Sequence, residues 1–133
     1  MSGETNLNTL LASMSADLID DLFVFVTLQD RKMPDGLTPR MMFQEAEGMT
    51  LILTKDDADA HALPFEFPCR MITLNIHSAL EAVGFIARIA TELAKHNMGV
   101  NPVAGFFHDH LFVPDGREHD ALAVISQIAA DHS

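Results

Sequence analysis

"RMITLNIHSALEAVGFIARIATELAK", residues 70–95, changes its hydrophobic period part-way along, and that change decides the fold. Over 70–77, Ile72, Leu74 and Ile76 alternate with Met71, Thr73, Asn75 and His77, the two-residue period of a strand with one buried face. From Ser78 to Lys95 the period lengthens to about 3.6, that of an amphipathic helix. Val83, Ile86, Ala87, Ala90, Leu93 and Ala94 form its apolar stripe; Glu81, Arg88, Glu92 and Lys95 form the solvated face. Ser78 and Glu81 stand at capping-box spacing, in which side chains satisfy orphan amides at a helix start. Asn97 and Gly99 stop the helix, glycine supplying the left-handed backbone that other residues resist.

Downstream, "VNPVAGFF" (100–107) and "DHLFVP" (109–114) read as strands and "GREHDALAVISQIAA" (116–130) as a closing helix. Upstream, a short helix is expected from about Leu7 to Met14 and a strand over "LFVFVTLQ" (22–29). "DRKMPDGLTPR" (30–40) is a loop, with two prolines and one glycine. "MMFQEAEGMTLILT" (41–54) gives two short strands turning at Glu47-Gly48. A helix from about Lys55 to Ala62 follows, opened by Thr54 with Asp57 three residues on. "PFEFP" (64–68) reads as a hinge between halves.

"MTLILTKDDADAHAL" (49–63) echoes "DHLFVPDGREHDALAVI" (109–125), so one small unit occurs twice. The expected class is α+β: two ferredoxin-like subdomains, 1–65 and 66–133, with antiparallel sheets and helices on one face. Halves this small bury little surface alone, so they pair with each other or the chain forms a homodimer.

With 8 basic and 19 acidic residues the 133-residue chain carries a net charge of −11. Such a surface repels phosphate backbones and anionic membranes, so neither nucleic acid nor membrane is expected as a partner. Cys69 is the only cysteine, which excludes an intrachain disulfide. "MSGETNLNTLLASMSADLIDD" (1–21) lacks the basic and apolar regions of a signal peptide, and the protein is expected to be cytoplasmic. Trp and Tyr are absent, so any pocket is walled by Phe, Met and aliphatic groups.

The residues with chemical potential are few. In "GFFHDHLFVP" (105–114), His108 and His110 share one face of a strand and Asp109 points to the other. Two imidazoles fall short of the three protein ligands zinc normally needs, and a third would have to come from His77 or His61. No GxSxG elbow, phosphate loop or HExxH occurs, so nothing in the residues names a reaction, and no metal or cofactor is expected. Gly84 interrupts a helical pattern at a cost of about 1 kcal/mol, which fits either close packing or backbone approach to a ligand. It lies by "HSALEAVG" (77–84), a strand-to-helix junction where helix amides attract a carboxylate.

"VGFIARIATELAKHNMGVNPVAG" (83–105) followed by "HDHLFV" resembles an ACT domain of the aspartokinase type, the resemblance extending over about 66–131. With "GETNLNTLLASMSADL" and "EGMTLIL", the whole chain resembles a bacterial family of stand-alone tandem ACT proteins. The resemblance implies two ACT-like subdomains and a non-catalytic module that binds an amino acid and regulates a further protein. It carries ligand contacts onto His77, Ser78, Glu81, Ala82, Val83 and Gly84 at the loop and helix start, and onto Asn101, Pro102, Val103 and Ala104 in the second strand. Asp109 is similar to a ligand-contacting acid in arginine-sensing tandem ACT proteins. "HSALEAVG" departs from the Asp-x-x-Gly-like turn of simpler ACT domains. The alternatives are a scaffold that only pairs sheets, and a metal-dependent enzyme using His77, His108 and His110.

Overall fold

In this computed structural model, which describes residues 3–133, the elements run α1 (Leu7–Ser13), β1 (Ala16–Leu28), β2 (Met41–Gln44), β3 (Met49–Thr54), α2 (Lys55–Ala60), β4 (Glu66–Leu74), α3 (Phe85–Lys95), β5 (Asn101–Ala104), β6 (Asp109–Pro114) and α4 (Glu118–His132). They divide into two compact units, one of Asp21–Cys69 and one of the chain up to Asp20 together with Arg70–Ser133; the boundaries fall inside β1 and β4.

In the Asp21–Cys69 unit the strand order is β2-β3-β1-β4. β3 pairs antiparallel with β1, Phe23 opposite Thr54 and Leu28 opposite Met49, and with β2, Met41 opposite Ile52. Val24, Val26 and Leu28 of β1 and Met49, Leu51 and Leu53 of β3 recur every second residue, and together with Ala58 of α2 they form one core. The Thr54 hydroxyl accepts from the Asp57 amide at 3.2 Å, the cap expected from the sequence. The helix ends at Ala60, two residues short of the expected Ala62.

In the other unit the order is β1-β4-β6-β5, with α1, α3 and α4 packed on one another. Their core joins Leu10, Leu11 and Met14 to Ile72 and Leu74, to Phe85, Ile89 and Leu93, to Leu111 and Val113, and to Ala121, Val124, Ile125 and Ile128. Arg70 donates to the Glu118 carboxylate at 3.2 Å and to the Ile19 carbonyl at 3.1 Å. Glu118 also accepts from the Gly116 amide at 2.7 Å, which fixes the start of α4.

Four expectations are corrected. "PFEFP" is not an irregular connector: β4 begins at Glu66 and runs through Pro68, with Phe67 at φ 55° and its ring edge-on to Phe25 at 5.8 Å. The helix expected from Ser78 begins at Phe85, because Gly84 at φ 92° is its N-cap. Its buried stripe is Phe85, Ile89 and Leu93, whereas Val83, Ala87 and Ala94 are exposed; the bulky side chains set the phase and the alanines follow it. Asn97, at φ 55°, takes the left-handed position after the helix that was expected of Gly99.

Candidate functional site

The strand-to-helix junction after β4 is an extended loop, not the first turns of a helix. It is held from behind by the N-terminal segment. Glu4 donates its amide to the His77 carbonyl at 2.9 Å, and the Ala79 amide donates to the Glu4 carbonyl at 3.0 Å. Gly3 makes this approach possible, since a Cβ there would stand 2.5 Å from the His77 carbonyl oxygen. At the far end of the loop, a Cβ on Gly84 would lie 3.4 Å from Leu7, so α1 backs the helix start as well.

With the loop held so, Ser78 does not cap a helix. Its hydroxyl donates to Asp109 Oδ2 at 3.0 Å, and both residues are more than nine-tenths buried. Glu81 is exposed and takes no part in a capping box. The N-cap glycine offers α3 no side-chain acceptor, and the first helical bond runs from the Arg88 amide to the Gly84 carbonyl. The amides of Phe85, Ile86 and Ala87 therefore precede the helical ladder, at the electropositive end of an 11-residue helix.

These features face one cavity of about 310 Å³. Of the residues expected at a ligand site, Ser78, Ala82, Gly84, Pro102, Ala104 and Asp109 line it. Pro102 and Ala104 do so together because they lie two apart on β5, opposite Leu111 and Asp109 of β6; Asn101 and Val103 point the other way. His77 leans on Phe107, ring centroids 5.7 Å apart, and Val83 is 83% exposed; neither lines the cavity, nor does Glu81. Ala79, Leu80, Phe85, Ile86, Ala87 and Gly105 line it without having been singled out in the sequence. Three of them are the first turn of α3.

His108 and His110 lie with ring centroids 6.5 Å apart, and His110 Nδ1 meets the Thr73 hydroxyl at 3.0 Å. Among the described residues no group of three or more His, Cys, Asp or Glu gathers at metal-binding distance. A second cavity, about 440 Å³, lies between α3 and α4, and several of its charges are paired. Arg117 pairs with Asp120 at 2.9 Å, and Glu92 receives Lys95 at 3.0 Å and Arg88 at 3.5 Å.

Two ACT-domain profiles match the sequence, one over residues 2–70 and one over 66–127. The chain belongs to the ACT-domain family.

A Vibrio cholerae protein of unknown function, described as a possible transport protein, is 37% identical to this ACT-domain protein; the match covers 92% of this chain and 95% of that one, at a TM-score of 0.82. An Agrobacterium tumefaciens protein is 12% identical, with 87% and 89% covered and a TM-score of 0.69. The ligand-free regulatory subunit of aspartate kinase from Thermus thermophilus is also 12% identical, with 89% and 97% covered and a TM-score of 0.65. The last two share the fold. No curated protein matches the sequence. The fold is thus α+β, tandem and ferredoxin-like, as the ACT resemblance implied.

Proposed function

We propose that this protein is a non-catalytic sensor that binds one amino acid in the cavity between the loop after β4, the start of α3 and β5. The observation that carries this reading is that two unlike groups line one small space. The amides of Phe85, Ile86 and Ala87 suit a carboxylate, and the buried Asp109, oriented by Ser78, suits an ammonium. Both halves of a zwitterion are thereby met by groups already in place. Ser78, Ala82, Gly84, Pro102, Ala104 and Asp109 are its contacts; His77, Glu81, Val83, Asn101 and Val103 are proposed only as neighbours of these contacts along the chain.

Membership of the ACT family and the fold shared with an aspartate kinase regulatory subunit support a regulatory role, exerted on a separate protein in the cytoplasm. Among the described residues no helix is long and apolar enough to cross a membrane. The protein acts as a homodimer formed through an exposed sheet edge. The test of binding is thermal unfolding of the full chain against the common amino acids. A ligand at about 100 times its Kd adds about 2.7 kcal/mol and raises Tm by several degrees. A flat panel, with the protein folded, would leave a scaffold that pairs sheets without a ligand.

A further inference from the structure

We infer that the cavity selects an amino acid with a neutral, aliphatic side chain. The inference rests on the reading of this cavity as an amino-acid site and narrows the ligand by charge and polarity.

Among the lining residues Asp109 is the single ionisable side chain, and it is only 8% exposed. A carboxylate in so sheltered a place calls for one compensating cation, which the ligand's ammonium supplies. The ligand's own carboxylate meets no Lys, Arg or His in the lining, so it falls to the amides at the start of α3. One neutral amino acid uses both ends and leaves no charge over.

Other side chains fit the inventory worse. Aspartate or glutamate would bring a second carboxylate into a space that holds one already and no cation. Lysine or arginine would bring a second cation with no second carboxylate among the lining residues. A hydroxyl or amide side chain finds a single polar side chain besides Asp109, the Ser78 hydroxyl, and that is already given to Asp109. What remains is apolar: the Phe85 ring, which is turned into the core, and the alkyl groups of Ala79, Leu80, Ala82, Ile86, Ala87, Pro102 and Ala104. At about 310 Å³ the space is at the small end for ligand pockets, the size of one amino acid and not of a nucleotide.

Isothermal titration calorimetry of the full chain with valine, leucine, isoleucine, aspartate, glutamate, lysine and arginine tests this. An aliphatic member is expected to bind at least about tenfold more tightly than any charged one, a gap of about 1.4 kcal/mol. Asp109→Asn should weaken that binding at least tenfold by removing the ammonium's partner. Ala87→Leu, at an exposed lining position, should weaken it by filling the space without touching charge, and it tests the site should Asp109→Asn fail to fold. Equal or tighter binding of a charged amino acid would overturn the inference and leave the amino-acid site standing. Binding of none of these and none of the remaining common amino acids would overturn the site itself. Aliphatic binding that survives both variants would place the ligand elsewhere and overturn both.

Discussion

Among the described residues Glu118 and Asp109 are the two buried carboxylates, and they differ in what holds them. Glu118 is answered within the protein. Its own backbone amide, the Gly116 amide and the Arg70 guanidinium hold its carboxyl below the ordinary value of 4.5, against the opposing effect of burial. A carboxylate whose folded value is depressed contributes its stability in full above the unfolded value. That contribution is lost as pH falls through the folded value, so the loss begins below about 4.5. Glu118→Gln should therefore lower unfolding free energy by about 2 kcal/mol at neutral pH and flatten the acid side of the stability profile. Urea denaturation of both proteins between neutral pH and pH of about 3 would show it; parallel profiles would mean that the pair is inert. Asp109 accepts from the Ser78 hydroxyl and lines a cavity. On the proposed function, the first is a brace and the second a ligand contact.

Among the elements, the loop between β4 and α3 depends on a segment far from it in sequence. Gly3 and Glu4 pair with His77 to Ala79, and Leu7 backs Gly84. Gly3→Ala would put a methyl group against backbone, which cannot yield as a side chain can, at a cost of roughly 1–3 kcal/mol. The expected result is faster amide hydrogen exchange at Glu4 and Ala79, with exchange in β6 and α4 unchanged; uniform acceleration would mean the segment is part of the global core. This long-range support also explains what could be read from sequence. The Thr54 cap was legible because donor and acceptor are three residues apart. The strand at 70–74 was legible because Ile72 and Leu74 both enter the core. Ser78 with Glu81 met the same local spacing rule as Thr54, yet the Ser78 hydroxyl serves Asp109, 31 residues away, and local pattern holds no trace of that. The front of β1 was hidden for another reason: Asp17, Asp20 and Asp21 are exposed, and their charge masks a strand whose partners lie elsewhere. Of the cavity lining, Ser78 and Asp109 are each legible in the sequence but not as a pair, Pro102 and Ala104 only within the run 101–104, and the first turn of α3 not at all.

For the whole molecule, a net charge of −11 acts on association as well as on partners. β2 is an edge strand carrying Met42 and Phe43 at 52% and 63% exposure, an apolar edge of the kind that pairs with a second copy. Sedimentation equilibrium should return twice 14.6 kDa, more firmly at high salt, where repulsion between like-charged copies is screened. Phe43→Lys should shift the mass toward one chain, and a wild-type mass of 14.6 kDa at every salt concentration would refute the homodimer.

The central claim is that an amino acid sits between the start of α3 and Asp109. Backbone amide NMR of the isotope-labelled chain, titrated with leucine, tests it most directly. The account predicts the largest shifts at the amides of Phe85, Ile86 and Ala87, with smaller ones at Ser78 and Asp109. Shifts confined to the groove between α3 and α4, or no shifts at saturating leucine and with every other amino acid, would contradict it.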